Sequence, residues 1–119
     1  AELLEFLRHS GAPAAPEDLQ LFERILTEAQ ATAKTWDGRV VFVYLPTWER
    51  YRLPELASKD RDNVLGIARR LKLYVMDMHE VFVTHPDPLS LFPFRRYAHY
   101  NEAGHKLVGE EVVRQLGKL

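Results

Sequence analysis

The chain has 119 residues, with 16 Lys and Arg against 17 Asp and Glu and a formal net charge of −1. That length holds one domain at most, and the interspersed charges read as an ordinary solvated surface without the basic face that nucleic acid requires. The chain has no cysteine, which excludes disulfides, thiolate metal sites and a cysteine nucleophile, and no apolar run approaches the ~20 residues of a membrane-spanning helix.

The first residues, Ala1-Glu2-Leu3-Leu4, lack an initiator Met and a basic-then-apolar signal layout, so upstream sequence is expected. A short helix is predicted over 2–8, followed by a Gly/Pro/Ala loop through Pro16. From Glu17 to about Thr35, Leu19, Phe22, Ile25, Leu26, Ala29 and Ala33 recur at helical spacing, with Pro16 suited to the first turn. Asp37-Gly38 supplies a terminating turn able to hold positive φ.

Arg39–Leu45 is a continuous β-branched and aromatic run, the pattern of a parallel strand covered on both faces. Pro46 stops it, and a long loop is expected through Ser58. Asp60 or Ser58 can cap a second helix whose inner side carries Val64, Leu65, Ala68 and Leu71. A strand over Leu73–Met76 ends at Asp77, and a brief helix follows over Met78–Val83. Residues 84–98 form a loop with Pro86, Pro88 and Pro93. The last helix, Glu102–Leu116, is expected to bury Ala103, Leu107, Val108, Val112 and Leu116.

This order calls for an α/β fold with parallel strands and right-handed crossovers, containing two strands and about four helices. Two strands make an incomplete open sheet, since a three-layer domain needs about five. The rest is expected from upstream sequence or another chain, which makes residues 1–119 a single partial domain.

The chemistry concentrates in Arg95-Arg96-Tyr97-Ala98-His99-Tyr100-Asn101-Glu102-Ala103-Gly104-His105. His99 stands in a loop immediately before a helix, a rigid support for a general base. Asn101 is placed to cap that helix. Gly104, costly inside a helix, signals a close approach. Asp77, at the carboxyl end of a strand, is either a ligand-facing carboxylate or a plain helix cap. Asp77, His79, Glu80 and His85 lack metal-site spacing, and no metal or other cofactor is expected. Trp48, Arg50 and Tyr51 in one loop, and Phe92, Phe94, Arg95 and Arg96 in another, suit either a ligand pocket or loop packing.

The string His99-x-Asn101-x-x-Gly104-His105 resembles the last sequence block of the SGNH/GDSL hydrolases, and the similarity extends over residues 16–117. The resemblance implies the C-terminal part of a three-layer, flavodoxin-like domain in which His99 is the base for a serine nucleophile and His105, beside Gly104, is a structural buttress. It implies an esterase or O-acyl (acetyl) transferase acting on an ester or O-acylated glycan, with Trp48, Arg50, Tyr51 and Arg96 at the substrate. The nucleophile and oxyanion-hole blocks are absent here, so the chain alone is expected to be inactive. It is expected to pair with the N-terminal part of the domain or with itself. The family's acid, three residues before the histidine, is replaced by Arg96. Asp77 is the preferred substitute, with Asp87 and Glu80 behind it. The alternative is a non-catalytic binding or assembly domain that has lost its acid.

Overall fold

The computed structural model describes residues 13–97 and 99–119, so the helix expected over 2–8 lies outside the described residues. Among these residues the chain is α/β, with five helices and one two-stranded parallel sheet. In chain order the elements are α1 (Pro16–Lys34), β1 (Val41–Tyr44), α2 (Glu49–Arg52), α3 (Arg61–Arg70), β2 (Tyr74–Asp77), α4 (Met78–Thr84) and α5 (Glu102–Leu116). Single 3₁₀ turns occupy Pro54–Leu56, Pro88–Leu91 and Pro93–Arg95. The chain divides into two compact units, one containing the described part of Ala1–Tyr44 with Ser58–Val75, the other Leu45–Ala57 with Met76–Leu119.

In the first unit α1 packs on α3. The buried side chains are Ala33, Leu65, Ile67, Ala68 and Leu73, while Phe22 meets Phe42 of β1 edge to face at 5.7 Å. Polar links tie the helix pair. Gln30 Nε2 donates to the Leu71 carbonyl at 2.9 Å, satisfying an acceptor left open at the end of α3. Arg70 pairs with Glu23 at 2.8 Å. Asp60 stands at the N-cap of α3 without capping it; its Oδ2 instead accepts from the Ala14 N–H at 2.8 Å.

Both helices end without a glycine in the left-handed position. Asp37 N–H reaches the Lys34 carbonyl and Gly38 N–H the Ala33 carbonyl; Lys72 and Leu73 repeat the pattern on Arg69 and Ala68. This is the Schellman closure, with Asp37 at φ 61° and Lys72 at φ 60°. The expected Asp37-Gly38 turn is present, but the aspartate takes the positive φ. Asp is among the few non-glycine residues that visit that region readily.

Two expectations about burial need correction. Val41–Tyr44 are all half-buried and Leu45 is 50% exposed, so β1 is not covered on both faces. Among the described residues it has one strand partner, β2. On α1, Ile25 is 56% exposed although it shares the apolar spacing. Periodicity defines a face but not the width of the neighbour covering it. Leu65→Ala should therefore cost about 2–5 kcal/mol, and Ile25→Ala no more than about 0.5 kcal/mol. Urea denaturation of both variants checks this; equal losses would contradict the packing described.

The second unit is organised around Phe82 and Phe92, both essentially inaccessible, with Pro46, Met76, Met78 and Leu91 also buried. The loop expected after Pro46 contains α2, which packs on the Pro88–Leu91 turn. In α5, Leu107, Val108 and Val112 are half-buried, Ala103 is exposed and Leu116 is 46% exposed. Its contacts are with α4 and Pro88–Leu91, and burial peaks at Gly104 in its first turn. Further along, Arg114 and Gln115 donate to Glu111, and the Arg114 bond above all holds the Glu111 carboxyl down at about 2.

Candidate functional site

Every residue singled out in the sequence for chemistry falls in the second unit. Its frame begins with Asn101. The side-chain Oδ1 accepts from Gly104 N–H at 3.0 Å, capping α5 as its residue type and position imply. Its Nδ2 donates to the Ser90 carbonyl at 2.8 Å, and its backbone N–H donates to the Leu91 carbonyl at 3.0 Å. One residue thus joins the start of α5 to two successive carbonyls of the preceding turn.

Gly104 completes the junction. A Cβ there would lie 2.5 Å from the Leu91 carbonyl oxygen and 2.8 Å from Tyr100 Cβ, so the close approach expected from its cost is present. Helix propensity alone makes Gly104→Ala stabilising by about 0.5–1 kcal/mol. The obstacle is backbone, which yields poorly, and overpacking typically costs about 1–3 kcal/mol. Gly104→Ala should therefore lower the melting temperature, whereas a rise would show that the junction is loose.

Tyr100 anchors the same segment from the other side. Its hydroxyl donates to the Pro46 carbonyl at 2.5 Å, and its ring packs against Phe82 at 5.1 Å and Phe92 at 5.3 Å. His105 meets the Tyr100 ring edge to face at 5.8 Å, a buttressing contact. His99 immediately precedes these anchors, exposed and without a hydrogen-bond, ion-pair or ring partner among the described residues. Its imidazole is held near a fixed helix end and left available.

The carboxylates are committed elsewhere. Asp77 is buried, and its Oδ1 accepts from His79 N–H at 3.1 Å, capping α4. Asp87 forms a two-pronged pair with Arg95 at 2.6 and 3.1 Å, and that hydrogen bonding holds its carboxyl below the usual aspartate range. Glu80 is exposed on α4. None of the three is hydrogen-bonded to His99.

In the 47–58 segment, Tyr51 stacks on His79 at 5.7 Å and on Phe82 at 5.8 Å, and its hydroxyl lies 2.9 Å from His79 Nδ1. Tyr51 thus belongs to the aromatic core as well as to the loop. Trp48, at the N-cap of α2, and Arg50 within it are half-buried, and Arg96 is exposed. Sequence reasoning missed the Tyr51–His79 pair, which joins positions 28 apart. It also passed over Arg52 and Leu89, which line a cleft of about 290 Å³ with Phe94, Arg95 and Arg96.

That cleft has an unusual backbone. Phe94 and Arg95 have φ of 51° and 62°, the left-handed region that ordinary side chains occupy at a cost of roughly 1–3 kcal/mol each. Arg95 is held there by its N–H to the Phe92 carbonyl and by Asp87. Asp87 is itself fixed, its N–H on His85 Nδ1 and its carbonyl accepting from Ser90. Among the described residues no group of three or more His, Asp or Glu is placed to hold a metal ion, and no helix is long and apolar enough to cross a membrane.

The Asp87–Arg95 link has a defined pH signature. Because the folded carboxyl titrates below 3.8, the pair's contribution is complete above that value and disappears as pH falls through the depressed one. Asp87→Asn should destabilise the protein at pH 7, with the difference from wild type closing in acid below pH 3.8. Denaturation of both proteins across that range checks it; a difference that persists at the acid end would show that the pair is not its source.

Comparisons with protein-family models, curated proteins and solved structures find no match to this chain.

Proposed function

We propose that this chain is the base-bearing portion of an SGNH/GDSL-like serine esterase or O-acyl transferase. His99 serves a serine nucleophile that lies outside these 119 residues. The observation that carries the reading is the agreement of roles along His99-x-Asn101-x-x-Gly104-His105. The first histidine is exposed and without a partner among the described residues, the asparagine caps α5, the glycine admits a backbone carbonyl, and the second histidine braces Tyr100. The parallel pairing of β1 and β2 and the open flank of β1 suit a portion of a larger parallel sheet.

In this reading His99 takes the serine proton as the hydroxyl attacks an ester carbonyl, and then protonates the departing alcohol. Water or a second hydroxyl attacks the acyl-enzyme, with His99 again removing the proton. The substrate is an O-acyl ester, such as an acetylated glycan, with Trp48, Arg50, Tyr51 and Arg96 placed along its path. A Ser–His dyad suits the geometry, in which none of Asp77, Asp87 and Glu80 is hydrogen-bonded to His99.

That same feature favours the second reading, a binding or assembly domain that has kept the frame and lost turnover. Arg96 stands where the acid would be. Ester hydrolysis by the longest natural product of the gene separates the two readings. On the esterase reading, His99→Ala lowers kcat by roughly 10²–10⁴-fold, with the melting temperature unchanged. Unaltered kcat in a folded variant would remove His99 from the mechanism, and absence of hydrolysis by the folded wild-type protein would leave the binding reading.

A further inference from the structure

We infer that the cleft formed by Arg52, Leu89, Phe94, Arg95 and Arg96 is a binding site for a small ring-bearing oxyanion, a carboxylate or a phosphate monoester. It draws on the same loop as the proposed function but not on any reaction, and it holds whether or not His99 is a base.

Among the described residues three arginines line the cleft, and no acidic residue does. Arg95 is already engaged by Asp87. Arg52 and Arg96 are exposed and have no ionic or hydrogen-bonding side-chain partner among the described residues. Arg52 is carried on α2, which packs against the turn containing Leu89, so the guanidiniums come from two separate segments of the unit. Two unneutralised guanidiniums lining one concavity repel each other, and an oxyanion relieves that repulsion. Their planar forks match the two-oxygen edge of a carboxylate or phosphate.

The apolar half of the ligand is indicated by Phe94. It is 87% exposed on a left-handed backbone, so the segment bears strain while displaying an aromatic ring to water. Tyr97 meets that ring in a T-shaped arrangement at 6.0 Å, and Phe94 lines the cleft. Strain of this kind persists where surrounding structure enforces it, and it concentrates at ligand sites. Here the Asp87–Arg95 pair enforces it. Leu89 supplies a second apolar wall. At about 290 Å³ the cleft is at the small end of ligand sites, which suits a single ring bearing one charged group.

The test is a two-dimensional amide NMR titration of the 119-residue chain with phenyl phosphate, benzoate, inorganic phosphate and benzyl alcohol. Saturable shifts at 52, 89 and 94–96 are expected with phenyl phosphate, benzoate or both, and the tighter of the two identifies the oxyanion. Inorganic phosphate should bind roughly tenfold more weakly, and benzyl alcohol should not bind. Arg52→Gln and Arg96→Gln, both at exposed positions, should each weaken binding by about tenfold. Phe94→Ala should weaken the ring-bearing ligands and leave inorganic phosphate unchanged. His99→Ala should bind as wild type does, which separates this site from the proposed reaction. Absence of saturable shifts at these residues would overturn the inference. So would equal affinity for inorganic phosphate and phenyl phosphate, or undiminished binding by the two arginine variants.

Discussion

The Leu91 carbonyl is the point on which the second unit depends. It accepts the Asn101 N–H and lies where a side chain at position 104 would have to be. One oxygen therefore both anchors the backbone at the start of α5 and excludes a side chain one turn later. The neighbouring Ser90 carbonyl takes the Asn101 amide, so the cap cannot be formed without drawing the proline-rich turn against the helix. Capping a helix with asparagine is common and locally worth about 1 kcal/mol. Here the same asparagine also closes a tertiary junction, which is why loop and helix behave as one support.

The consequences divide the polar groups of the unit into two kinds. Asp77, Asn101, Tyr100, His79 and Asp87 are spent on structure: each has a partner at hydrogen-bonding distance that caps a helix, braces a ring or pins a turn. His99, Arg52 and Arg96 have none among the described residues, yet they emerge from segments that the first group holds in place. An available imidazole and two available guanidiniums on a fixed loop are the arrangement a site requires, because positioning groups need rigid supports and reacting groups need access. Aromatic packing adds to the rigidity, with Phe82 and Phe92 buried in contact with Tyr51 and Tyr100.

What the sequence made legible was local. Helices α1, α3 and α5 announce themselves by apolar residues at helical spacing, and Asn101 and Asp77 by residue type immediately before a helix. Gly104 is legible through its cost, which demands a reason. Tertiary facts were not legible. Nothing in spacing distinguishes Leu65 from Ile25, because the difference lies in which surface faces each one. The four-residue α2 is too short to show a period and is hidden between Pro46 and Pro54. Tyr51 and His79 meet only because the chain returns to the same core. The left-handed residues are the clearest case: Lys72, Phe94 and Arg95 occupy a region usually marked by glycine or asparagine. At Phe94 and Arg95 a salt link to Asp87 replaces the conformational freedom that glycine would have supplied.

The central claim is that an available histidine on this frame serves a serine elsewhere. The most direct test is labelling the longest natural product of the gene with a fluorophosphonate probe and locating the adduct by mass spectrometry. The account predicts an adduct on a serine outside these 119 residues, lost when His99 is replaced by alanine in a protein that remains folded. A folded protein that takes no label, or one whose label is indifferent to His99, would contradict it.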